Sequence, residues 1–176
     1  MKCIICKNSK HEIIWFDKLR SGKNIFTNNR YKIYRCSVCE LVFLKKPIID
    51  YENNNDLFRK KFDGQSSIKK YLEFHKPREL KKLKKILKYL NFDKKHILES
   101  NCGYGVILDL FMNKCKTTSG VDHLVYKNSL IERGHQYFSN INNIILTKKT
   151  FDIVLCLSEL EHKKNPIVFL KKIKKI

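Results

Sequence analysis

Alanine is absent from this 176-residue chain, and glycine (6), proline (3) and tryptophan (1) are scarce. So little glycine and proline excludes a collagen-like or Gly/Pro-rich low-complexity architecture. No apolar run approaches the ~18 residues that a membrane helix needs, and the N-terminus MKCIICKNSK lacks the ~7–15-residue apolar core of a secretion signal. These absences predict a soluble, cytoplasmic chain with no membrane role. Acidic residues are also few, 17 against 37 Lys+Arg, so the formal charge is +20. Such a field favours polyanions at low salt. Lys, Asn and Ile dominate, however, and their A/T-rich codons allow a base-composition bias to produce this balance with no partner selecting for it. The lysines also run along the whole sequence rather than clustering with aromatics on one element, so dedicated nucleic-acid binding is not the expected function. With 43% hydrophobic and 11% aromatic residues the chain has material for a core, which excludes wholesale disorder.

What is present begins with cysteine. There are seven, an odd number, in a chain without a secretion signal, so reduced thiols or a metal are expected rather than a disulfide framework. Four of them form two knuckles, Cys3-Ile-Ile-Cys6 and Cys36-Ser-Val-Cys39. Each pair can bring two sulfurs to one ion, and two pairs complete a tetrahedron. The second pair lies between strand-like runs at Tyr31–Tyr34 and Leu41–Leu44, the arrangement of a zinc ribbon. Cys3, Cys6, Cys36 and Cys39 are therefore the expected ligands of a structural Zn²⁺, closed to substrate because four protein ligands leave no open position. The long interval between the pairs predicts an inserted hairpin turning near Ser21–Gly22 and Asn28–Asn29. Trp15 and Phe16 are expected to fill the small core. Lys2, Lys7 and Arg35 are placed to offset the thiolate charge.

Residues 1–47 read as this ribbon and 48–90 as a helical connector: a polar linker from Ile48 to Gln65, then a helix opened by Pro77. Leu80, Leu83, Ile86, Leu87 and Leu90 recur at helical spacing opposite a lysine face. From residue 91 to 176 strands and helices alternate. Strands are expected at His96–Asn101, Thr117–Val121, His135–Phe138 and Phe151–Leu157. Helices are expected after Gly105, around Lys127–Arg133 and from Asn165-Pro166 onward. Repeated βα units imply an α/β fold with a parallel sheet covered by helices.

Ligands of such sheets bind beyond the carboxyl ends of the strands. The turn Cys102-Gly103-Tyr104-Gly105 follows the first strand, and Gly103 and Gly105 offer bare backbone to a ligand. Asp122 ends the second strand, where a carboxylate can accept two hydrogen bonds from ribose hydroxyls. A nucleoside-containing cofactor is expected.

Glu99-Ser-Asn101-Cys-Gly103-Tyr-Gly105 resembles the first motif of class I S-adenosylmethionine-dependent methyltransferases, an acid followed by alternating glycines. The likeness continues through Gly120-Val121-Asp122, Phe151-Asp152-Ile153-Val154, Glu161-His162 and Asn165-Pro166. The cysteine knuckle with its Glu-Leu-Val-Phe tail is similar to the zinc-binding N-terminal domain of sugar C-methyltransferases. The resemblance implies a partial doubly wound, Rossmann-like sheet with S-adenosylmethionine as cofactor. Glu99 would lie near its methionine moiety, Gly103 and Gly105 along it, Asp122 on the ribose and Asn140 near the adenine. Asn101 stands where the family has its first glycine, and Asn tolerates positive φ. His162 would be a general base oriented by Glu161, and Glu159 with Glu161 and His162 could instead hold a divalent cation. The implied acceptor is a small molecule such as a nucleotide-linked sugar. The alternatives are an RNA-modifying methyltransferase and an inactive zinc-binding interaction remnant. The family's sheet has seven strands and only four are legible here, which predicts either a truncated or split gene product or a sheet that another chain completes. Cys102, Cys115 and Cys156 read as buried reduced thiols.

Overall fold

A computed structural model of the chain describes residues 1–20, 26–44, 65–163 and 165–176. The chain divides into two compact units, Met1–Asn53 and Asn54–Ile176.

In the first unit β1 (His11–Arg20), β2 (Phe26–Cys36) and β3 (Val42–Leu44) form an antiparallel sheet in that order. The knuckle Cys36–Cys39 thus joins β2 to β3, as the flanking strand-like runs predict. Asn28 and Asn29 lie inside β2 and not in a turn, and Ser21–Gly22 fall outside the described residues. The pairing Arg20↔Phe26 accounts for the difference, because β2 extends well before the expected strand start. Trp15 and Phe16 do not form a core: they are 38% and 53% exposed. Among the described residues of the unit the three strands have no second layer, so hydrocarbon is not buried there as it is in a two-layer domain. The enclosed parts are the buried Cys3 and Cys36 and an edge-packed cluster of His11, Tyr34 and Phe43, whose ring centroids lie 5.1 to 6.5 Å apart.

The second unit opens with α1 (Gln65–Ile86). Pro77 is inside this helix and does not start it. A proline costs the helix one backbone hydrogen bond. Here the turns on both sides of it are held by packing: Ile68, Tyr71 and Leu72 against Tyr104, Leu108 and Leu130, and Leu83 against Phe92, Ile97 and Phe111. Tertiary contact overrides the local break, and α1 belongs to the α/β unit instead of connecting to it. The expected linker from 48 to 64 lies outside the described residues.

The sheet comprises β4 (His96–Ser100), β5 (Thr117–Val121), β6 (Gln136–Phe138) and β7 (Ile153–Leu155), all parallel, in the order β6-β5-β4-β7. Adjacent residues of a strand face opposite sides, and β4 shows what covers each. Ile97 packs with Leu83 of α1 and with Ile107 and Phe111 of α2 (Val106–Phe111). Leu98 packs with Ile141 and Ile144 of α4 (Ile141–Leu146) and Phe169 of α5 (Pro166–Ile173). Helix α3 (Lys127–Glu132) leads into β6 and packs Leu130 on Leu108. Asn165 caps α5 by accepting from the Val168 N–H at 3.1 Å, with Pro166 at its first position, as the sequence predicts. Among the described residues no helix is long and apolar enough to cross a membrane.

Candidate functional site

The two knuckles are built alike. Lys7 N–H donates to Cys3 O and Glu40 N–H to Cys36 O, each at 3.0 Å. One residue on, Cys3 N–H reaches Asn8 O at 2.8 Å and Cys36 N–H reaches Leu41 O at 2.9 Å. Both turns close through a left-handed residue directly after the second cysteine, Lys7 (φ 63°) and Glu40 (φ 57°). Only glycine enters this region without penalty. Lys7→Gly and Glu40→Gly are therefore expected each to stabilise the metal-loaded unit by about 0.5–1 kcal/mol. Denaturant unfolding followed through Trp15 fluorescence checks this, and a loss of stability would refute the strain assignment.

The turns bring all four sulfurs within 4.8 Å of one another. Cys3 Sγ lies 3.6 Å from Cys39 Sγ and Cys6 Sγ lies 3.5 Å from Cys36 Sγ. A tetrahedron with Zn–S bonds of ~2.3 Å has edges of about 3.8 Å. The cluster can hold a metal ion, and its dimensions suit zinc. Its electrostatics point the same way. N–H groups of Cys39 and Val38 draw the Cys36 thiol down to about 6, while burial and the neighbouring sulfurs outweigh the Asn8 N–H at Cys6 and push that thiol up to about 12. Four sulfurs this close cannot all ionise without a cation between them. Of the basic residues expected to offset the charge, Arg35 pairs with Glu12 at 3.4 Å and Lys7 Nζ donates to Ile4 O.

In the second unit, β4 register places Glu99 opposite Gly120. Asp122 directly follows the last residue of β5, and its field is felt at Glu99. Its Oδ2 accepts from Gly103 N–H at 2.7 Å and its Oδ1 from His123 N–H at 2.6 Å. The acid at the end of the second strand thus holds the turn that follows the first. Asn101 takes φ 60°, as expected of Asn in a glycine position, and its N–H donates to Val121 O at 2.8 Å. Gly103 has φ +54°, and a Cβ there would meet only Tyr71 Oη at 3.8 Å, so its backbone is open. Gly105 differs: a Cβ there would stand 2.6 Å from Leu130 Cδ2. That glycine serves the close packing of α2 on α3, and bare backbone toward a ligand is offered at Gly103.

Glu99 is 6% exposed, and its Oε2 has no hydrogen-bond partner among the described residues. Burial, reinforced by the nearby Glu79 carboxylate, raises its pKa well above the usual range, with Lys82 opposing. Glu79 comes from α1, where it pairs with Arg78 at 2.9 Å and Lys82 at 3.0 Å. Glu159 is also buried. Its Oε1 pairs with Lys163 at 3.0 Å, and its Oε2 has no partner among the described residues. The field of Glu159, like that of Asp122, adds to the shift of Glu99, so carboxylates from α1, the residue after β5 and the segment after β7 act on the one in β4. Glu79 escaped the sequence reading because a glutamate among lysines reads as an exposed helix face.

The remaining candidates are placed less directly. His162 is half-buried in a 3-10 turn, Leu160–His162, whose backbone closes on Glu159 O at 3.0 Å. The Glu161 side chain falls outside the described residues. Asn140 is exposed and caps α4, accepting from Asn143 N–H at 3.0 Å, a structural task that the sequence reading did not assign to it. Among the described residues only the four cysteines converge as metal ligands. Burial raises the thiols of Cys102, Cys115 and Cys156, as expected of protonated cysteines. No protein-family model matches the chain, and no curated protein matches it.

Proposed function

We propose that the α/β unit is a partial, doubly wound S-adenosylmethionine-binding domain that serves methyl transfer to a small molecule, with a nucleotide-linked sugar as the acceptor class, and that the N-terminal unit is a scaffold folded around Zn²⁺. The observation that carries this reading is the pair of carboxylates, Glu99 in β4 and Asp122 directly after the parallel strand β5, close enough for the field of Asp122 to act on Glu99, beside a turn whose Gly103 donates its N–H to Asp122 and has room at its Cα. Nucleoside cofactors of such sheets sit at the carboxyl ends of the strands.

The cofactor supplies a methyl group activated on a sulfonium. Asp122 would accept from the ribose hydroxyls, and Gly103 would leave room for the chain beside it. Glu99, with one carboxylate oxygen unpartnered in a buried position, would face the cationic methionine end. His162 would take the acceptor's proton, with Glu161 orienting the ring. Among the described residues β7 is one of the two end strands of the sheet, and a second chain adding strands there is the partner this reading asks for.

Titration calorimetry with S-adenosylhomocysteine tests the proposal. Binding tighter than ~100 µM, about −5.5 kcal/mol, is expected. Asp122→Ala should abolish it, whereas Asp122→Asn, which keeps an acceptor for Gly103 N–H, should weaken it with the fold intact. No heat at millimolar ligand would sink the proposal.

A further inference from the structure

The strand register of the first unit assembles a surface that the linear order of its residues hides. Phe16 pairs with Lys32, Lys18 with Arg30 and Ile13 with Tyr34. On β2 the partners Arg30, Lys32 and Tyr34 are spaced by two, so they share one face of the sheet. All but the half-buried Tyr34 are exposed, and Phe16 is 53% exposed. Lys32 Nζ stands 5.6 Å from the centroid of the Phe16 ring. β1 and β2 together carry five Lys/Arg and two acids. Both acids are engaged, Glu12 with Arg35 at 3.4 Å and Asp17 with Arg30 at 3.7 Å, which leaves Lys18 and Lys32 outside those pairs. The lysines are not gathered with aromatics on one element, and it is strand pairing that brings Lys32 of β2 to Phe16 of β1.

An exposed ring flanked by cations on a sheet face is the stacking-plus-phosphate arrangement that suits single-stranded nucleic acid. We propose that this face of β1 and β2 binds a single-stranded polynucleotide, with Phe16 stacking on a base and Lys18 and Lys32, the cations outside the ion pairs, neutralising phosphates. Charge complementarity selects this occupant: a chain of +20 repels a cationic partner and attracts a polyanion. The site lies wholly within the metal-binding unit and is independent of the cofactor reading.

Fluorescence anisotropy of the full, metal-loaded chain with labelled oligo-rU and oligo-dT of ~15 nucleotides, as a site of this size requires, decides the question. Micromolar binding is expected at low salt, with log K falling against log salt at a slope of about −1.4 for two phosphate contacts. Phe16→Ala should weaken binding ~5- to 100-fold. Lys18→Glu with Lys32→Glu should nearly abolish it and flatten the slope by ~1.4. Equal affinity for the two oligonucleotides assigns recognition to base and phosphate, and a preference for oligo-rU adds the 2′-hydroxyl. Unchanged affinity and slope in both variants would overturn the proposal, since the charge of the rest of the chain would then be responsible. Uptake by anionic vesicles without oligonucleotide binding would overturn it as well. The replaced side chains are exposed, so metal content and Trp15 fluorescence should match the parent chain.

Discussion

Stripping the metal from the four-cysteine cluster is expected to unfold the N-terminal unit while the α/β unit stays folded. Trp15 is the only tryptophan of the chain and lies in the N-terminal unit, so its emission reports that unit. All helices among the described residues lie in the second unit, so helical circular dichroism reports the other. A strong chelator should shift the tryptophan signal and spare the helical one. The size of the effect follows from the burial pattern. Trp15, Phe16, Phe26, Ile13 and Val42 are exposed, and a three-stranded sheet with so little enclosed hydrocarbon is marginal alone. A structural Zn²⁺ supplies of order 10 kcal/mol in peptides of similar size, more than the hydrocarbon of this unit can. Cys36→Ser removes a fully buried ligand and should act like the chelator. A metal-free chain with unchanged Trp15 emission would refute this account.

Asp109→Ala should destabilise the α/β unit by ~2–3 kcal/mol through the loss of a network that the sequence did not reveal. Asp109 Oδ1 lies 2.8 Å from His135 Nε2, and His135 Nδ1 lies 2.7 Å from Thr118 Oγ1. Its other oxygen accepts from Arg133, which also donates to Tyr104 O and, at 3.0 Å, to Ser129 O. Thr118 and His135 are buried, so truncating Asp109 leaves the buried imidazole Nε2 without its partner and takes one of its acceptors from the Arg133 guanidinium. The part-exposed Asp109 and Arg133 are screened by solvent, which keeps the cost below that of a fully buried pair. Asp109→Asn keeps one acceptor and should cost roughly half as much. Urea unfolding followed by helical dichroism measures both, and a change under ~0.5 kcal/mol for Asp109→Ala would show that the network contributes little.

Elements whose signal is local were legible in the residues. β5 runs over Thr117–Val121 as its sequence predicts, and Asn165-Pro166 opens α5, because apolar runs and caps act over a few positions. Pro77 misled for the complementary reason. The local penalty is real, but contacts with residues far away in sequence outweigh it, and no spacing within α1 announces them. Gly105 misled because a glycine demanded by helix packing and one demanded by a ligand look the same until Leu130 is placed beside it.

The residues by themselves determined the two cysteine knuckles, the alternation of strands and helices, and the acids at positions 99 and 122, since each is written in neighbours along the chain. Which strands lie side by side, that Asp122 holds the turn after β4, and that Phe16 and Lys32 meet across a hairpin were decided by tertiary structure alone. Register and packing join positions that are distant in sequence, and their free energy exists only once both partners are in place.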